Sequence, residues 1–141
     1  MATLEKTLRL ILGDQLNAAH SWFKNPDKRV TYVLMEIRQE TDYVKHHIQK
    51  VAAFFAAMRT FADHLKVNGH RVFYLALDDP ENRQTIRDNI LHLIQSKSFT
   101  RFGYLLPDEY RLDLQLQDMG KSLRVPCTAQ DTEHFSRKDV N

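Results

Sequence analysis

The stretch Val30-Thr31-Tyr32-Val33-Leu34-Met35-Glu36 decides the fold of this chain. Up to the closing Glu36 it is nearly continuous in apolar and β-branched residues. A strand with one wet face alternates apolar and polar residues, whereas a strand covered on both faces does not. Val30–Glu36 therefore reads as a central strand with helices above and below it. Four further β-rich runs, Leu8–Leu12, Arg71–Leu75, Phe102–Leu106 and Leu123–Cys127, alternate with helical or polar segments. That alternation predicts an α/β domain built on a five-stranded parallel sheet, doubly wound and three-layered in the Rossmann-like manner.

The clearest helix runs from about Val44 to Val67. Val44, Ile48, Val51, Phe55, Met58, Ala62 and Leu65 mark one face at spacings of four and three, widened by Phe54 and Phe61. Thr41 or Asp42 supplies the N-cap, and Asn68-Gly69 supplies the left-handed residue that ends a helix. Phe55, Met58 and Phe61 are expected against the sheet. Asp79-Pro80-Glu81 places a capping carboxylate before a proline suited to the first helical turn, followed by an apolar face at Ile86, Ile90, Leu93 and Ile94. Leu112, Leu116 and Met119 give a shorter helix stopped by Gly120.

With the first strand central and the chain winding outward twice, the strand order is 3-2-1-4-5; the handedness rule also leaves 2-1-3-4-5 open. In the first order the switch point lies between strands one and four. Gly13-Asp14-Gln15-Leu16 then faces Pro107-Asp108-Glu109-Tyr110 across one crevice, with Glu36 at its border. Tyr43 and Tyr110 follow strand ends near these acids, where a ring can stack on a planar ligand.

Composition removes many alternatives. The chain has 141 residues, 43% hydrophobic and 27% charged, the mix of one ordinary globular domain. No apolar run approaches the ~20 residues of a membrane span. Met1–Gly13 lacks a small-residue cleavage site, so the expected location is cytoplasmic. The single Cys127 excludes an internal disulfide and a four-cysteine cluster within these residues. A net charge of +2, from 20 basic and 18 acidic residues, gives no sign of a clustered basic patch.

Recognised catalytic signatures are missing too. The four glycines, Gly13, Gly69, Gly103 and Gly120, build no GxGxxG, Walker or GxSxG loop. A magnesium-binding receiver domain needs paired carboxylates after the first strand, and only Asp14 stands there. His46 and His47 are neighbours on a helix and point about 100° apart, so they do not form a metal pair. No catalytic residue is assigned, and no metal site.

Leu10-Ile11-Leu12-Gly13-Asp14-Gln15-Leu16, Glu36-x3-Glu40-x2-Tyr43-Val44-x-His46-His47-x2-Lys50, Ala57-Met58-Arg59-x-Phe61-Ala62, Leu77-Asp78-Asp79, Pro107-x-Glu109-Tyr110-Arg111 and Asp131-Thr132-x-His134-Phe135 together, in this order and spacing, resemble a known family. It is the N-terminal domain of the prokaryotic photolyase/cryptochrome proteins that carry an iron-sulfur cluster, also described as photolyase-related proteins and bacterial six-four photolyases. The resemblance spans essentially the whole chain.

The resemblance implies an antenna domain that holds a ribityl-lumazine and passes excitation to FAD in a helical C-terminal domain. There, reduced flavin repairs a pyrimidine photoproduct by light-driven electron transfer, a carbon-carbon lyase reaction, or the protein senses blue light. On this reading residues 1–127 are the antenna domain, and residues 128–141 begin a linker to a C-terminal domain carrying FAD and the four-iron cluster. DNA is met only through the full-length protein, and these residues alone are not catalytic. The expected cofactor-binding residues are Asp14, Gln15, Leu16, Glu36, Tyr43, Glu109 and Tyr110. Glu36 is expected to accept from the ligand, so Glu36→Ala should weaken binding without moving the melt of the free domain. The alternative is a non-catalytic bracing domain with an empty crevice, docked to a partner domain.

Overall fold

A computed structural model describes residues 5–37 and 48–133. Its strands are β1 (Thr7–Leu10), β2 (Val30–Met35), β3 (Arg71–Leu75), β4 (Arg101–Leu105) and β5 (Cys127–Gln130). Three helices lie between them: α1 (Ile48–Val67), α2 (Ile86–Lys97) and α3 (Tyr110–Ser122). All four ladders are parallel, in the order β3-β2-β1-β4-β5. Because β1 pairs with both β2 and β4, the alternative order 2-1-3-4-5 is excluded.

β2 shows why its sequence does not alternate. Val33 and Met35 enter one core with Leu8, Leu10, Ile90, Leu93 and Leu116, on the side of α2 and α3. Tyr32 and Leu34 enter the other, with Phe55, Met58, Phe61 and Leu65 of α1. Two dry faces require apolar residues at odd and even positions alike. The result is three layers, with α1 on one face of the sheet and α2 and α3 on the other.

α1 lies close on the end of β1. A Cβ placed on Gly13 would stand 2.3 Å from the Phe54 ring and 3.0 Å from Met58 Sδ, so only glycine allows this approach. The helix ends as its sequence predicts, with Gly69 at φ 92° and the amides of Gly69 and His70 returning to Lys66 and Leu65. The expected start at Val44, its caps Thr41 and Asp42, and His46 and His47 lie outside the described residues.

Three local expectations are corrected. The N-cap of α2 is Thr85, whose hydroxyl accepts the Asp88 amide at 3.1 Å; Asp79 instead closes a turn by accepting the Glu81 amide at 2.9 Å. Gly120 lies inside α3 rather than ending it, because its missing side chain admits Cys127 Sγ, which would stand 2.9 Å from a Cβ there. The fifth strand is Cys127–Gln130 rather than Leu123–Cys127. Leu123 and Val125 pack under the core as a connection, and the ladder to β4 begins at Phe102↔Cys127. The sheet therefore continues past residue 127, where the linker was expected to begin.

Candidate functional site

At the carboxyl edge the switch point between β1 and β4 is held by Gln15. Its side chain is buried; Oε1 accepts the Leu12 amide at 3.0 Å, and Nε2 donates to the carbonyls of Leu105 and Leu106 at 3.1 and 3.4 Å. A turn from the Gln15 amide to the Leu12 carbonyl, 2.9 Å, completes the latch. The loops after β1 and β4 are thus brought together as the topology requires. Asp14 is exposed beside this latch and Leu16 is half-buried against the α1-side core. Glu109 takes the N-cap position of α3, and Tyr110, the first residue of that helix, is 73% exposed. Leu106, 40% exposed, adds apolar surface next to them. Tyr43 lies outside the described residues.

Glu36 belongs to a different centre. It has no exposed surface, and its carboxylate takes four hydrogen bonds from three residues. Arg59 of α1 donates through Nε to Oε2 at 2.7 Å and through Nη2 to Oε1 at 3.0 Å. The Tyr74 hydroxyl of β3 donates to Oε2, and the Leu77 amide donates to Oε1 at 2.9 Å. Burial pushes the Glu36 pKa up, but the hydrogen bonds from Arg59, Tyr74 and Leu77 outweigh it and hold the carboxyl below its usual range. Burial, then the hydrogen bond to Glu36, drives the Tyr74 phenol well above its ordinary value. Glu36 and Gln15 share no partner: one ties β2 to α1 and β3, the other ties β1 to β4.

Below Glu36, two asparagines absent from the sequence-level candidates fix the loop after β3. Asn82 donates to the carbonyls of Glu36 and Ala76 at 2.7 and 2.9 Å, and accepts from the Gln84 amide and Asn89 Nδ2 at 2.8 and 3.1 Å. Asn89 Oδ1 takes the Arg83 amide at 2.8 Å. A second cluster closes the far side. Buried His20 accepts the Trp22 amide on Nδ1 at 3.0 Å, so Nε2 carries the proton and donates to the Asp131 carbonyl at 2.8 Å. Trp22 Nε1 reaches Gln130 Oε1 at 3.2 Å, and Glu133 accepts the Ser21 amide and hydroxyl at 3.1 and 2.6 Å. Residues 130–133 are thereby fastened to residues 20–22 of the connection between β1 and β2.

Arg59 was visible in the sequence within Ala57-Met58-Arg59, one residue beyond the buried Met58, but nothing local marked its partner 23 positions away. Among the described residues no group of three or more His, Cys, Asp or Glu is placed to hold a metal, and no helix is long and apolar enough to cross a membrane.

The chain was compared with known proteins. Residues 9–140 match the family described as deoxyribodipyrimidine photo-lyase-related protein. A curated relative, the (6-4) photolyase of Agrobacterium fabrum (strain C58 / ATCC 33970), is 32% identical over 129 residues. The match covers 91% of this chain and 25% of the relative, so the chain spans about a quarter of that protein's length. With a match across nearly all of its residues, the chain belongs to the deoxyribodipyrimidine photo-lyase-related protein family.

Proposed function

We propose that this domain holds a light-harvesting ribityl-lumazine at the carboxyl edge of its sheet, as part of a larger photolyase-related protein. That protein would carry FAD and a four-iron cluster in a helical C-terminal domain and use light to repair DNA or to sense blue light. The observation that carries the reading is the switch point itself, where Gln15 draws the loop after β1 against the carbonyls of Leu105 and Leu106. Ligands of doubly wound sheets bind outside the carboxyl ends of the strands, at such a switch point. The relative's (6-4) photolyase name supports the wider activity.

The residue types at this edge are those that a flat heterocycle with a polyol chain would use. Leu16, Leu106 and Tyr110 offer apolar and aromatic surface to such a ring. Glu36 enters differently from the sequence expectation. Its acceptor positions are filled by Arg59, Tyr74 and Leu77, so it serves by fixing α1 and the β3 loop rather than by touching the ligand. When bound, the lumazine supplies absorption at wavelengths where the protein is transparent. The chain's part is to orient that ring and shield it from water, and no bond-making step is assigned to these residues.

The bracing-domain reading has one observation in its favour, that Gln15 and Glu36 already direct their polar groups inward. Titration of the chain with a ribityl-lumazine, followed by ligand fluorescence, separates the two. Saturable binding, weakened about tenfold or more by Tyr110→Ala, supports the antenna reading; no saturable change at millimolar ligand leaves the bracing role.

A further inference from the structure

Near-balanced composition conceals a separation of charge. In a doubly wound domain every strand starts at one edge of the sheet and every helix ends there. The connections and strand starts on that edge, residues 5–6, 24–29, 66–71, 97–101 and 121–126, hold ten lysines and arginines and two acids, Glu5 and Asp27. Among the described residues the opposite edge, residues 11–16, 36–37, 76–85, 106–109 and 131–133, holds nine acids and one arginine, and of those acids buried Glu36 is neutralised by Arg59 of α1. The separation is built into a rigid frame. The Thr7 amide bonds the Arg29 carbonyl at 2.7 Å, the Thr100 amide the Lys6 carbonyl at 2.7 Å, and the Phe102 amide the Pro126 carbonyl at 3.0 Å. Pro26 lies 3.3 Å from the position of a Cβ on Gly69, joining two more of these connections.

Part of the basic edge has a purely structural account. Lys66, Lys97 and Lys121 stand in the last turns of α1, α2 and α3, where a cation complements the helix dipole. Arg29 and Arg101 pair with the two acids, Asp27 and Glu5, at 3.3 and 3.2 Å. Neither account covers Lys24, Lys28, Arg71 and Arg124, which are exposed and enter no ion pair among the described residues.

We infer that this amino edge is a second interaction surface, one that contacts the phosphate backbone of duplex nucleic acid without reading its sequence. Five strand starts about 4.8 Å apart make an edge roughly 19 Å long, along which a duplex presents about eleven phosphates. Among the described residues the row is polar and offers no base-reading element, so it supplies counterion release alone. With four phosphate contacts, raising salt from 50 to 200 mM should weaken binding about 150-fold, from a slope of about −3.6. The inference does not depend on the lumazine reading, since it concerns the opposite edge.

The test is fluorescence anisotropy of a labelled 25-base-pair duplex of arbitrary sequence, titrated with this chain at 50 to 200 mM salt. Lys28→Gln, Arg71→Gln and Arg124→Gln combined should weaken binding at 50 mM salt at least tenfold and flatten the slope by about 2.7, with the thermal melt unchanged. Asp78→Asn with Glu81→Gln, on the acidic edge, should change affinity less than twofold. Absence of saturable binding at 50 mM salt overturns the inference. So does an equal response to both sets of substitutions, which would reduce the effect to net charge. Displacement by polyglutamate as effective as by unlabelled duplex also overturns it, by making the edge a face for acidic protein.

Discussion

Arg59 meets Glu36 edge to edge: its Nε lies 2.7 Å from one carboxylate oxygen and its Nη2 3.0 Å from the other, with the carboxylate fully buried and the guanidinium side chain 58% exposed. A buried carboxylate tolerates its loss of water only when its lone pairs are filled, and here Tyr74 and Leu77 fill the remainder. Glu36→Ala strands the Tyr74 hydroxyl and the Leu77 amide, while Arg59 turns to water. The expected loss is about 2–6 kcal/mol, from roughly 1–3 kcal/mol for each of the two stranded groups. Urea unfolding should show it, and an unchanged midpoint would remove Glu36 from the frame.

The same carboxylate gives an acid-dependent stability. Its folded pKa lies below the unfolded value, so the unfolded chain takes up the proton first, and the contribution present at neutral pH is lost as pH falls through the folded pKa. His70 acts in the window above. Burial lowers its pKa, so the unfolded imidazole charges first and stability begins to fall as pH drops below the ordinary histidine range. Stability measured against pH should have a shallower slope just below pH ~6.5 in His70→Phe, and a shallower slope in the carboxylate range in Glu36→Gln. Parallel curves for variant and parent would contradict these signs.

Gly13 and Phe54 should be coupled. Alanine at Gly13 drives a Cβ into the Phe54 ring, for an overpacking loss of about 1–3 kcal/mol. Removing the ring with Phe54→Ala should recover most of that loss in the double variant, leaving an interaction energy of at least about 1 kcal/mol. Strictly additive losses would place α1 farther from β1.

Asn82→Ala removes one side chain that holds two carbonyls, an amide and a second asparagine. Amide exchange at Arg83 and Gln84 should accelerate at least about a hundredfold, more than at Leu34 in the central strand, because the loop opens locally before the sheet does. Uniform acceleration would show instead that the loop and the sheet open together.

The fold was legible where one dry environment acts on consecutive residues. Val30–Met35 declares a strand covered on both faces, and the spacing through Phe55, Met58 and Leu65 declares the helix above it. β5 was not, because Thr128, Ala129 and Gln130 form an exposed edge with no apolar pattern, while Leu123 and Val125 imitate a strand. The Thr85 cap was hidden by Asp79-Pro80, a stronger local signal used for a turn. At the site, topology indicated the meeting of the loops at Gln15 and Leu105. The role of Glu36 was illegible, since its partners Arg59, Tyr74 and Leu77 lie 23 to 41 positions away. Net charge likewise says nothing about which edge carries which sign.

The carboxyl-edge site is tested most directly by hydrogen exchange of the chain with and without a ribityl-lumazine at about 100 times its dissociation constant, where binding contributes ~2.7 kcal/mol to stability. The account predicts added protection at the amides of Asp14, Gln15 and Leu16 and of Leu106, Asp108, Glu109 and Tyr110, beyond any uniform gain, and none at Lys28 or Arg71. Unchanged exchange at both loops, or protection confined to the amino edge, would contradict it.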